Sequence, residues 1–112
     1  MHTVAEMPEF SRNAARLLRD TESQALINHL ADHPLAGALL AGTGGVRKLR
    51  WAREGMGKSG GVRVIYYFHS ERIPLYLLTV FGKNEKANLT KAEANALSKL
   101  VKLLVQATGI KP

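Results

Sequence analysis

Two apolar runs stand almost back to back in this chain, VRVIYYFH over 62–69 and IPLYLLTVF over 73–81, separated by the polar residues SER. Each is rich in β-branched and aromatic residues and too short for a buried helix, so each predicts a strand. The hairpin-length connection predicts that the two strands pair antiparallel. Both runs are apolar at odd and even positions alike. Such strands are stable where both faces are covered, which places this pair at the centre of a sheet with other elements on each side.

The flanking segments supply the cover. Residues 3–5 suit a short strand, and Pro8 suits the first turn of a helix through EFSRNAARLLR, with Phe10, Ala14, Leu17 and Leu18 on one stripe. TESQ is a capping-box pattern with Asp20 or Thr21 as cap, and it opens a second helix whose apolar face is Ala25, Leu26, Leu30 and Ala31. His33 and Pro34 end that helix, so the two form a short antiparallel hairpin. LAGALLAGTGG predicts a loop from about Leu35 to Gly45, and VRKLRWA alternates as a half-buried strand does. REGMGKSGG, Arg53 to Gly61, reads as a connecting loop. A second capping box, Thr90 to Glu93, starts a helix with Leu97, Leu100, Val101, Leu104 and Val105 buried, stopped at Gly109. The predicted order is β-α-α-β-β-β-α: one α+β domain over residues 1–112, a helix hairpin on a mostly antiparallel four-stranded sheet with a C-terminal helix.

Charge is unevenly spread along this order. Residues 1–43 hold three Arg against five acids, whereas residues 46–63 hold six Lys or Arg against one acid, Glu54. A concentrated cationic surface attracts polyanions, of which nucleic acid is the commonest in a cytosol. The lack of cysteine excludes a disulfide scaffold, a thiolate metal site and a Cys nucleophile. No apolar run reaches the ~18 residues of a membrane span, and MHTVAEMPEF reads as no signal peptide, so the expected location is the cytoplasm, away from membranes.

Strand parity sorts the basic stretch. Leu49 and Trp51 point one way and Lys48 and Arg50 the other, while Arg63 faces away from Val62 and Val64. If the two strands pair through the intervening loop, Arg63 meets Lys48 and Arg50 on one face, an arrangement unfavourable to folding unless a polyanion neutralises it. The bland alternative is that the long stems snorkel outward. Arg53 and Lys58 lie in or beside a Gly-rich loop that reads first as a flexible connector and second as an anion contact, and that lacks P-loop spacing. Lys83, Asn84 and Lys86 follow the last strand, where either site residues or plain turn chemistry is expected. Tyr67 shares the parity of Arg63 and is a candidate to stack or hydrogen-bond a nucleotide, whereas the spacing of Trp51 favours core packing over base stacking. His29 and His33 are four apart on a helix without a third ligand, which argues against a metal site, and His69 is a minor candidate on the Arg63 face.

TGGVRKLRWAREGMGKSGGVRVIYYF followed by IPLYLLTVFGKNEKANLTKAE resembles the RelE/ParE superfamily of bacterial toxins, most closely its HigB-like branch, over about residues 40–95. The resemblance implies a RelE-like fold and an mRNA endonuclease that acts in the ribosomal A site, takes no cofactor or metal, and is restrained by a helix-turn-helix antitoxin. It implies attack of the substrate 2′-hydroxyl on the adjacent phosphate. By the same resemblance Lys48 and Arg63 act at the phosphate, with Lys83 a conjectural third catalytic group. Arg50 contacts RNA or ribosome, and Arg47, Arg53, Lys58, Tyr67, Asn84 and Lys86 join it as RNA-binding candidates. The family's last-strand Arg and Tyr are replaced here by Asn84 and Thr90. That departure leaves the proton carriers open and keeps alive a non-catalytic module of the same fold that docks RNA, ribosome or antitoxin.

Overall fold

The computed structural model describes residues 2–53 and 57–109, without the side chains of residues 53 and 57–60. In chain order the elements are β1 (Val4–Glu6), α1 (Pro8–Leu17), α2 (Asp20–Asp32), β2 (Ala38–Leu39), β3 (Val46–Arg53), β4 (Gly57–Tyr67), β5 (Leu75–Gly82) and α3 (Lys91–Ala107). The five strands lie in the order β1-β5-β4-β3-β2, with β1 parallel to β5 and the remaining pairs antiparallel. The two apolar runs are therefore the second and third strands of the sheet, as their two-sided hydrophobicity demands.

One face of the sheet carries the helix hairpin. Phe10, Ala14 and Leu18 from the α1 region and Leu26 and Leu30 from α2 close over Val62, Val64, Tyr66, Leu75, Leu77 and Val80. On the other face Val101 and Val105 of α3 pack with Val46, Ile65, Tyr67, Ile73, Leu78 and Phe81. The β4–β5 register shifts between Ile65 and Tyr66, where Leu78 is the extra residue of β5, so Leu75, Leu77 and Val80 share the hairpin face while Leu78 and Phe81 share the other.

The α+β class and helix placement agree with the sequence reading, and three local expectations change. The loop expected from Leu35 to Gly45 contains β2, an edge strand of two residues paired to Arg47 and Lys48. Gly37 permits this turn, because a Cβ there would stand 2.8 Å from the Tyr66 ring. The connection expected over Arg53 to Gly61 is shorter, since β3 runs to Arg53 and β4 begins at Gly57. The second helix starts at Asp20, with Arg19 as the cap residue; its backbone N–H donates to Glu22 Oε1 at 2.8 Å, so Glu22 satisfies an orphan donor in place of the Thr21–Gln24 box. At α3 the expected box is present, Glu93 N–H to Thr90 Oγ1 at 3.1 Å and Thr90 N–H to Glu93 Oε1 at 2.8 Å.

Candidate active site

The register of β3 and β4 sets Arg50 directly against Arg63, and Lys48 against Ile65. Alternation then carries Lys48, Arg50 and Arg63 onto the face of Ile65 and Tyr67, opposite Leu49, Trp51, Val62, Val64 and Tyr66. α3 packs over the Val46, Ile65 and Tyr67 part of that face. Beyond it a cleft of about 350 Å³ is lined by Arg50, Trp51, Ala52, Gly61, Arg63 and Lys83. The β3–β4 register shifts between Trp51 and Arg53, beside this cleft, with the extra residues on the β4 side.

Arg63 is 9% exposed while Arg50 is open to solvent. Two guanidinium groups directly opposed on a sheet repel, and a largely buried one has also lost hydration. Among the described residues the ion pairs are Arg16–Glu85 and Lys86–Glu93, and neither includes Lys48, Arg50, Arg63 or Lys83. Among the described residues that line it, the cleft gathers Arg50, Arg63 and Lys83 and no carboxylate, which favours an anionic group with several acceptor oxygens.

The other candidates are distributed differently. Lys48 is half-buried and its Nζ donates to Asn88 Oδ1 at 3.2 Å, which ties β3 to the segment before α3. Lys83 lines the cleft, and its backbone N–H donates to Gly61 O at 3.2 Å. Lys86 turns away: its Nζ pairs with Glu93 and lies 4.8 Å from the Phe81 ring centroid. The side-chain oxygen of Asn84 folds over Gly82, 2.8 Å from where a Cβ would stand. Arg47 is a brace for the α2–β2 loop, donating from Nη1 to Gly37 O at 2.7 Å and Leu35 O at 3.4 Å. Tyr67 corrects the sequence expectation. Its ring is 6% exposed within the α3-side core, and burial pushes its hydroxyl pKa up, so packing rather than base stacking occupies it. The side chains of Arg53 and Lys58 lie outside the described residues.

Trp51 does more than the alternation pattern indicated. It is half-buried against the α1/α2 core, its ring centroid lies 5.3 Å from that of His29, and it lines the cleft. His29 and His33 have ring centroids 5.1 Å apart, and among the described residues no third ligand type joins them in a metal-holding group. Asn88 and Glu85 escaped the sequence reading because the partners that give them meaning, Lys48 and Arg16, are 40 and 69 residues distant.

Fold and cleft together define a small basic α+β domain with an anion-ready groove at the end of its central strand pair. The chain belongs to the RelE toxin family: residues 6–111 match the family model described as RelE toxin of the RelE / RelB toxin-antitoxin system. Membership makes it the toxin half of such a pair and implies an antitoxin as partner. Among the described residues no helix is long and apolar enough to cross a membrane.

Proposed function

We propose that this toxin is an mRNA endonuclease that cuts message on the ribosome, in the cytoplasm, at the cleft bounded by Arg50, Arg63 and Lys83. The observation that supports it most is the largely buried Arg63 set opposite Arg50, a costly arrangement for folding alone and a useful one for a phosphodiester. In the reaction the 2′-hydroxyl oxygen attacks the adjacent phosphorus and the P–O5′ bond breaks. The 2′-proton is lost and the departing 5′-oxygen gains one, leaving a 2′,3′-cyclic phosphate and a 5′-hydroxyl. Negative charge grows on the phosphoryl oxygens in between. Arg63 and Lys83 face that charge, with Lys48 beside them on β3, and the message threads past Arg50.

A second reading has its own support. Among the described residues lining the cleft none is His, Asp or Glu, so proton transfer has no conventional carrier there. A binder of this fold would arrest translation by occupying message or ribosome. Mapping mRNA 5′ ends after expression in growing cells separates the two. The endonuclease gives codon-phased cuts inside translated frames that Arg63→Ala removes, and the binder gives arrest without cuts. The proposed antitoxin is a helix-turn-helix protein of the HigB-like branch, and its co-purification from a neighbouring reading frame tests that assignment.

A further inference from the structure

We infer that Glu85, anchored by Arg16, is a positioning residue that sets Lys83 into the cleft; this rests on the reading of the cleft as the RNA-cleaving site. Lys83 is the first residue after β5, on the turn between the sheet and the segment leading to α3. An exposed lysine has four side-chain torsions to order, so a useful ammonium there needs its backbone held still. Three contacts hold it. Lys83 N–H donates to Gly61 O across the strand end, Glu85 N–H donates to Gly82 O at 3.0 Å, and Gly82 N–H donates to Glu85 Oε1 at 2.7 Å. The carboxylate thus closes the turn on itself.

The other side of that carboxylate reaches a different element. Glu85 Oε2 lies 3.0 Å from Arg16 Nη1, in the last turn of α1, the helix that packs on β5. The turn bearing Lys83 is therefore clamped to the helix hairpin. Direction matters as much as rigidity. Glu85 is two residues from Lys83, and an acid that swung toward that ammonium would neutralise a cation the cleft uses; Arg16 draws it away. The next lysine is sorted the opposite way, since Lys86 is bound by Glu93 and sits over Phe81. One short turn thus sends one lysine to the cleft and the other to α3.

Both partners are more than a third exposed, at 55% and 37%, so the pair contributes little to folding. Its effect is expected in the geometry of Lys83. The test uses the purified full chain, freed of antitoxin, in single-turnover cleavage of message on translating ribosomes, with binding of an oligoribonucleotide and thermal melting measured alongside. Glu85→Ala should slow cleavage at saturating ribosomes by about tenfold or more, as misplacement of a reacting-site group does, with the half-saturating concentration within about twofold. Glu85→Gln keeps an acceptor for Gly82 N–H and should retain most of the rate, with Arg16→Ala between them. On a Lys83→Ala background Glu85→Ala should cost less than about twofold more, because the two act as a unit. Equal effects in both backgrounds, or a wild-type rate for Glu85→Ala, would overturn the inference. If Glu85→Ala unfolds, Arg16→Ala carries the same cycle. If the wild type fails to cleave, the proposed function is lost. The positioning claim is then decided by oligoribonucleotide affinity, which Glu85→Ala must lower when Lys83 is present and leave alone when it is absent.

Discussion

On one face of β4, Val62, Val64 and Tyr66 are fully buried under α1 and α2, whereas on the other Arg63, Ile65 and Tyr67 pass from a cationic cleft to an apolar contact with α3. The same backbone therefore carries a face completed by packing and a face completed for part of its length. The contrast separates two kinds of residue on this strand. Val62, Val64 and Tyr66 answer to packing, and Arg63 sits where a stability-optimised domain would place an apolar side chain.

The comparison breaks most visibly at Phe10, which is 0% exposed and anchors the hairpin. Phe10→Ala should destabilise by about 3–5 kcal/mol, the cost of lost burial plus a cavity, while leaving activity per folded molecule unchanged. Denaturant unfolding read against activity of the remaining folded fraction checks both halves. Arg63→Met should do the reverse. Cleavage is expected to fall by about 10²–10³, as when a single charge-stabilising donor is removed. The melting temperature should hold or rise, because an opposed and largely buried cation is replaced by an apolar side chain. A fall of several degrees in that variant would show Arg63 to be structural, and the contrast between the faces would collapse.

Tyr66 tests whether the hairpin face is apolar alone. Its hydroxyl accepts from Gly37 N–H at 2.7 Å and donates to Pro34 O at 2.9 Å, pinning the loop that leads into β2. Tyr66→Phe leaves a buried backbone donor unmet and should cost about 1–3 kcal/mol, seen as a shifted urea midpoint at constant slope. Burial raises the pKa of this phenol, offset in part by the Gly37 hydrogen bond and by Arg47. A raised folded pKa means its contribution is present below the ordinary value of 10.0 and declines as pH rises through it, a decline that Tyr66→Phe should abolish.

How far the chain could be read in advance follows the same division. Alternation identified β3, short two-sided apolar runs identified β4 and β5, and helical spacing identified the three helices, because each element buries its own apolar residues. β2 stayed hidden because two small or apolar residues within a Gly-rich run carry no period, and its pairing is decided by Arg47 and Lys48 across the chain. In the cleft, parity alone set Arg50 and Arg63 on one face, since strand alternation is a local rule. The misreading of Tyr67 has a nonlocal cause. Parity correctly assigned its face, but the position of α3 decides which part of that face is covered, and nothing in the strand encodes it. Arg47, one of the RNA-binding candidates, also has a nonlocal role, since the carbonyl groups of Leu35 and Gly37 engage it.

The smallest expected effect lies where α3 meets the turn beyond the cleft. Glu93 accepts from the Lys86 ammonium and from Thr90 N–H, and these contacts, the lysine first, hold its carboxyl below its usual value of 4.5 against a modest desolvation cost. A depressed folded pKa means the stabilisation is present above the unfolded value and is lost as pH falls through the folded one. Glu93→Gln keeps an acceptor for the helix cap but removes the ion pair. The variant should melt slightly below the wild type at neutral pH and merge with it in acid. The pair is only partly buried, so salt reaches it and the gap should also narrow in high salt. Melting curves from about pH 7 down to about pH 3 read this directly. A gap that persists undiminished through that range would mean the cap geometry, and not the charge of Glu93, fastens α3 beside the cleft.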